Sequence, residues 1–231
     1  MNLTNVYLEV GSKRTFAGAV DWPGWCRSGR NEAAALASLY EYGPRYARVV
    51  RGARLGFRAP AEPSQLVVVE RLAGNSTTDY GAPVIPPSGD SQPVDASELR
   101  RLQAVLKACW RAFDAAAQAA TGKELRRGPR GGGRDVSGIV EHVLGAEAAY
   151  VSQLGWHSDW GERDERNTRD TDLARARGAV LGGLAAKVRG ELPTRGPRGG
   201  LRWTARYFVR RDAWHVLDHA WEVEDRSARG A

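Results

Sequence analysis

Cysteine is nearly absent. Cys26 and Cys109 are the only two, far apart and in no CxxC pair, so a disulfide framework is excluded and a reducing compartment is expected. Nowhere do about 18 apolar residues run together, which excludes a conventional membrane-spanning helix. The opening MNLTNVYLEV has no basic stretch followed by an apolar one, so the expectation is a cytoplasmic protein without a secretory leader. Familiar nucleotide and hydrolase signatures are missing as well. There is no Walker A sequence and no GxSxG, and Gly131-Gly132-Gly133 neither follows a strand nor matches GxGxxG. Lysine is scarce too: Lys13, Lys107, Lys123 and Lys187 stand against 30 arginines.

What remains is an ordinary globular composition, with 42% hydrophobic and 26% charged residues in 231. Abundant Arg, Ala and Gly is what a GC-rich coding sequence favours. Arginine also presents a fork of donors suited to phosphate or carboxylate. The net charge of +7 divides as about +2 for residues 1–94 and about +5 for residues 95–231. Seven arginines lie between Arg189 and Arg211, with Glu191 the single acid among them.

The pattern changes at GAPVIPPSGDSQPV, residues 81–94, whose four prolines predict a linker or extended loop. Residues 1–80 read as a small α+β module. Val6–Val10 and Thr15–Val20 are strand-like and joined by a tight turn. Asp21–Cys26 reads as a turn that leaves Cys26 partly exposed. Asn31 can cap a helix running to about Tyr42, and Leu66–Val69 is β-branched enough for a buried strand.

Residues 95–231 read as four helices. The first begins at Asp95, with Glu98 completing a capping box, and carries an apolar stripe of Leu99, Leu102, Leu106, Cys109, Phe113, Ala116 and Ala120. The others span about 135–154, 170–188 and 207–225. The fold class is therefore α+β, a small sheet-plus-helix module followed by a four-helix bundle. Gly155–Arg169 is long enough to cross the bundle, so the helix order need not be simple up-down-up-down. RGPRGG occurs at Arg127–Gly132 and again at Arg195–Gly200, each time shortly before a helix. Either copy is a flexible basic turn or an anion-binding loop.

Histidine supplies the candidate chemistry. There are four: His142, His157, His215 and His219. The last two, four apart on one predicted helix, place both rings on one face as a clamp for a divalent metal. His142 sits in the middle of another helix on a face shared with Ile139, Ala146 and Ala149, which points it inward. Metal sites in bundles are built from inward side chains on different helices. Val216 stands where a zincin motif would need Glu, so the pair is not that motif. Glu222 shares the face of the pair and reads as a further ligand, a supporting partner or a general base. His157, between two tryptophans in a polar loop, reads as a surface residue. Asp218 reads as a surface or salt-bridge residue, and Cys109 as inert core.

With His142, His215 and His219 placed on helices in this order, residues 95–228 resemble the DinB-like superfamily of four-helix metalloproteins. Trp214-His215-Val216-Leu217-Asp218-His219-Ala220-Trp221-Glu222 looks like that family's last helix. The resemblance implies three histidine ligands to one divalent transition ion, with Zn favoured and Ni or Fe as alternatives. It also implies a thiol-dependent transferase or isomerase, acting on a small-molecule substrate with a low-molecular-weight thiol. Residues 5–72 resemble the HicB antitoxin-like fold, through Phe16-Ala17-Gly18-Ala19-Val20-Asp21-Trp22-Pro23-Gly24-Trp25-Cys26 and the helix start at Asn31; Trp25 is inserted between the usual glycine and cysteine.

Two functions follow as expectations. One is a metal-dependent enzyme that activates a thiol or water against a small electrophile, with Glu222 as a catalytic group. The other is a non-enzymatic protein whose HicB-like module binds a protein or nucleic acid and whose metal site is structural. The weak charge of the first module disfavours nucleic acid. No membrane partner is expected, and a homodimer stays open.

Overall fold

The computed structural model describes residues 3–127, 133–157 and 169–227. Four strands come first or early: β1 (Thr4–Val10), β2 (Thr15–Ala19), β3 (Cys26–Gly29) and β4 (Leu66–Ala73). They form one sheet of order β3-β2-β1-β4, with β1 and β4 parallel and the other pairs antiparallel. Helix α1 (Glu32–Val50) lies between β3 and β4, and a short α2 (Ser76–Tyr80) follows β4. Four long helices come next: α3 (Ala96–Ala119), α4 (Val136–Leu154), α5 (Arg169–Val188) and α6 (Ala205–Ser227). This is the expected α+β arrangement of a sheet followed by helices. Among the described residues no helix is long and apolar enough to cross a membrane.

Alternation along β1 explains how the sheet is covered. Val6 and Leu8 enter the main apolar core together with Leu39 and Tyr46 of α1. Tyr7 and Glu9 face the other way. Tyr7 lies under the Arg210 guanidinium of α6, 5.2 Å from ring to cation, and Phe16 of β2 meets Trp214 of α6 edge-on at 6.0 Å. Helix α6 therefore has the sheet on one side and other helices on the rest, and it is buried nearly all round.

Named contacts give the helix directions. Glu98 of α3 pairs with Arg206 near the start of α6, and Arg126, just beyond α3, bonds to Arg226 at the end of α6. Those two helices run parallel. Helix α4 runs the other way: His142 meets His219, while Tyr150 meets Arg211 and Trp203. The helix order is thus not a simple up-down-up-down.

Several expectations are revised. Helix α1 continues past Tyr42 to Val50 through Pro44. An internal proline costs about 3 kcal/mol, but Tyr46 and Val50 extend the buried stripe and Tyr46 donates to the Pro23 carbonyl. Cys26–Gly29 forms a strand, although CRSG has no β-branched residue, because β2 presents an open edge to it. Gly24 turns the chain with φ +94 and brings it so close to α6 that a Cβ there would sit 3.0 Å from Leu217.

The proline-rich stretch is extended, as its composition predicts, yet firmly held. The buried Glu9 carboxylate accepts from the backbone N–H groups of Val84 and Ile85 and from the Thr78 hydroxyl. Glu70 accepts from the Ser88 N–H, and Asp90 forms a buried two-point ion pair with Arg210. The residues before and after the stretch share one apolar core.

Candidate metal centre

Helices α4 and α6 position the site. Asp135 caps α4 by accepting from the Gly138 N–H, and Gly155 ends it with φ 95. His142 thus falls near the end of α4 that faces the second half of α6. From α6 come His215 and His219, one turn apart.

The three rings converge. Their centroids are 5.0 Å (His142–His215), 4.9 Å (His142–His219) and 4.7 Å (His215–His219) apart, a nearly equilateral triangle. One nitrogen from each lies within 4.8 Å of the other two, so together they could hold one metal ion. His142 Nε2 and His215 Nε2 are 3.2 Å apart. Two nitrogens bound at about 2.0–2.1 Å to a tetrahedral ion would stand about 3.3 Å apart. The His142–His215 separation is compatible with two donors to one metal ion.

Protonation suits that role. Burial is the main reason the His215 imidazole is held neutral, down to about 2; the positive charges of His219, Arg211, His142 and Arg134 add to it. His142 is lowered by burial, then by His219 and Arg134. Neutral imidazoles are what a cation requires. Glu222 Oε2 pairs with His219 Nδ1 at 2.8 Å, while its other oxygen accepts from Arg226 at 2.7 Å. The His219 bond comes first among the causes that keep the Glu222 carboxyl below its usual range. The bond from Glu222 orients the His219 ring and leaves Nε2 as its free nitrogen, an arrangement open to a supporting partner. His215 Nδ1 is buried and has no hydrogen-bond partner among the described residues.

Other candidates lie elsewhere. His157 is exposed, and Asp218 pairs with Arg27 at 2.8 Å, both as expected. Cys109 is fully buried. Cys26, expected to be partly exposed, is also buried, and burial pushes its thiol up to about 12. The reason is tertiary: Phe16 and Trp214 close over it. Ala149, placed on the His142 face by spacing, is exposed. In the second basic loop Arg195 bridges to Leu201 and donates to the Gly199 carbonyl, Arg202 donates to the Ser152 carbonyl, and Arg198 is exposed. In the first copy only Arg127 is described, since Gly128–Gly132 lie outside the described residues, as do residues 158–168 of the long connection.

Two site neighbours, and a buried carboxyl pair on the same two helices, escaped the sequence reading. Arg211 lies one turn before His215 on the same stripe of α6, and counting back by four from His215 would have found it. Tyr150 packs edge-on to His215 at 5.6 Å. Glu147 and Asp212, on α4 and α6, are fully buried carboxyls that influence each other. Nothing in their spacing marks them as a pair, because they meet only when the two helices pack. A separate cavity of about 450 Å³ opens between α3, α4 and α5, lined by Phe113, Asp114, Val140, Leu173 and Arg177 and by no histidine.

Comparison of the chain with protein-family models, with curated proteins and with solved structures finds no match.

Proposed function

We propose that this chain holds one divalent transition ion on His142, His215 and His219 and is an enzyme that activates a thiol or a water for attack on a small electrophile. The convergence of three imidazole nitrogens from two helices within 4.8 Å carries the reading. Zinc is the ion we favour, because three histidine ligands leave one position open in a four-coordinate site; nickel and iron are the alternatives. A bound ion of this kind lowers the pKa of the thiol or water beside it. The chain's own residues do the rest. Burial keeps His215 neutral and poised as a ligand, Glu222 and Arg226 hold His219 in one orientation, and Tyr150 and Trp214 wall the site. The preference for thiol transfer rests on the resemblance of residues 95–228 to DinB-like proteins.

Metal content is the test. Plasma mass spectrometry on untagged wild type should find about one equivalent of a transition metal, and none in a His215→Ala/His219→Ala variant. A wild type that is metal-free and takes up no added Zn, Ni or Fe overturns the proposal.

A further inference from the structure

Arg211 bonds to no carboxylate among the described residues, although its charge is felt by the buried Asp212 carboxyl next to it in sequence. Its guanidinium sits 4.6 Å from the Trp214 ring and 5.3 Å from the Tyr150 ring. Among the described residues it makes no hydrogen bond or ion pair, and its NH1 nitrogen is buried without a partner. Arg27, Arg177 and Arg202 also have a buried Nε without a partner, but each of them donates through another nitrogen, Arg202 to the Ser152 carbonyl. Arg27, Arg45, Arg177, Arg206 and Arg210 all reach carboxylates. Leaving a buried guanidinium nitrogen unpaired costs stability, so a persistent orphan next to a candidate site points to a ligand that completes it.

The orphan faces the three-histidine site. Arg211, His215 and His219 follow one another at intervals of four on α6, so they share a face. Tyr150 touches both neighbours, 5.3 Å from the Arg211 guanidinium and 5.6 Å from the His215 ring. The Tyr150 hydroxyl has no hydrogen-bond partner among the described residues and is free to donate. Beyond it, Trp203 lies tilted against Tyr150 at 5.3 Å and Tyr207 meets Trp203 edge-on at 4.9 Å, so an aromatic wall extends from the cation.

Charge balance leads the same way. An imidazole brings no negative charge, and Glu222, the carboxylate bonded to His219, is already taken by His219 and Arg226. Among the described residues no carboxylate bonds to Arg211, and a substrate anion would pair with it.

We propose that Arg211, with the Tyr150 hydroxyl, is the carboxylate-binding subsite of the three-histidine centre, so that the substrate is a small carboxylic acid with an aromatic or planar body. The planar fork of Arg211 matches a carboxylate at two points. One helical turn, about 6 Å, separates Arg211 from His215, which places the reacting atom a few bonds from the carboxylate. The subsite deepens the metal reading and rests on it for its catalytic meaning, but the anion contact can be measured separately.

The test is calorimetric titration with benzoate and with its neutral isostere benzamide. Wild type, Arg211→Met and Arg211→Lys are each used metal-free and after addition of zinc, with zinc content measured alongside. We expect saturable benzoate binding to wild type, weakened tenfold or more in Arg211→Met and less in Arg211→Lys. Benzamide should bind wild type at least tenfold more weakly than benzoate, a comparison that needs no folded variant. Equal binding of benzoate and benzamide, equal affinity in wild type and Arg211→Met, or no saturable benzoate binding overturns the subsite. Arg211-dependent benzoate binding in a protein that takes up no zinc upholds the anion contact and sinks the ion. Zinc uptake with Arg211-independent benzoate binding does the reverse.

Discussion

Asp90→Ala removes one half of the buried ion pair that pins the proline-rich segment to α6. Arg210 is 7% exposed and Asp90 1%. The guanidinium donates to both Asp90 oxygens at 2.7 Å and to the carbonyls of Ala19 and Val20 at 2.9 and 2.8 Å. Deleting the carboxylate leaves a buried positive charge with only two backbone acceptors, and breaking such a pair costs about 3–5 kcal/mol. The two surviving carbonyl bonds place the expected loss near the lower end, about 3 kcal/mol. With an m-value of about 3 kcal/mol/M, the urea midpoint should fall by about 1 M. An Asp90→Ala/Arg210→Met double variant should recover part of that loss, because neither charge is then left buried alone. The assay is urea unfolding followed by circular dichroism. A loss under about 1 kcal/mol in the single variant, or a double variant no better than the single, would show that the pair is not what holds this segment.

Three other outcomes are expected. Glu222→Gln should weaken zinc binding by about tenfold and Glu222→Ala by up to about a hundredfold, read by competition with a chromophoric chelator; unchanged affinity would mean that His219 needs no help from Glu222. Burial raises the Glu147 carboxyl from 4.5 to about 7, despite the opposing hydrogen bond from Trp110. The folded state then binds the extra proton between those values, so stability should fall as pH rises from about 4.5 to about 7, by on the order of 3 kcal/mol. Burial also raises Asp212, which acts in the same direction. Glu147→Gln should flatten the slope of urea midpoint between pH 5 and pH 7, and a slope equal to that of wild type would assign the effect elsewhere. Metal analysis of the His215→Ala/His219→Ala variant remains the direct check on the ligand set.

Much of the fold is legible because its cues are local. The stripe from Leu99 to Ala120, the cap at Asp135 and the alternation of β1 all concern residues within a turn or a pleat of one another. The spacing of His215 and His219 belongs to the same class, and a bundle leaves few places for an inward His142 to go. Harder cases had competing local signals. Pro44 disfavours continuing α1 and CRSG has low strand propensity, and in each distant packing outweighs a propensity worth a few kcal/mol at most.

Backbone geometry and periodicity set the element types, the α+β class and the placing of His215 and His219 on one face. The tertiary structure alone makes α3 and α6 parallel, covers Cys26 and brings Asp90 to Arg210. It alone brings Glu147 to the neighbourhood of Asp212 and Tyr150 of α4 to Arg211 and His215 of α6. The reason is physical. A helix or strand is specified by contacts a few residues apart, whereas the burial and charge of a site depend on which elements pack together, and that pairing leaves no fixed spacing along the chain.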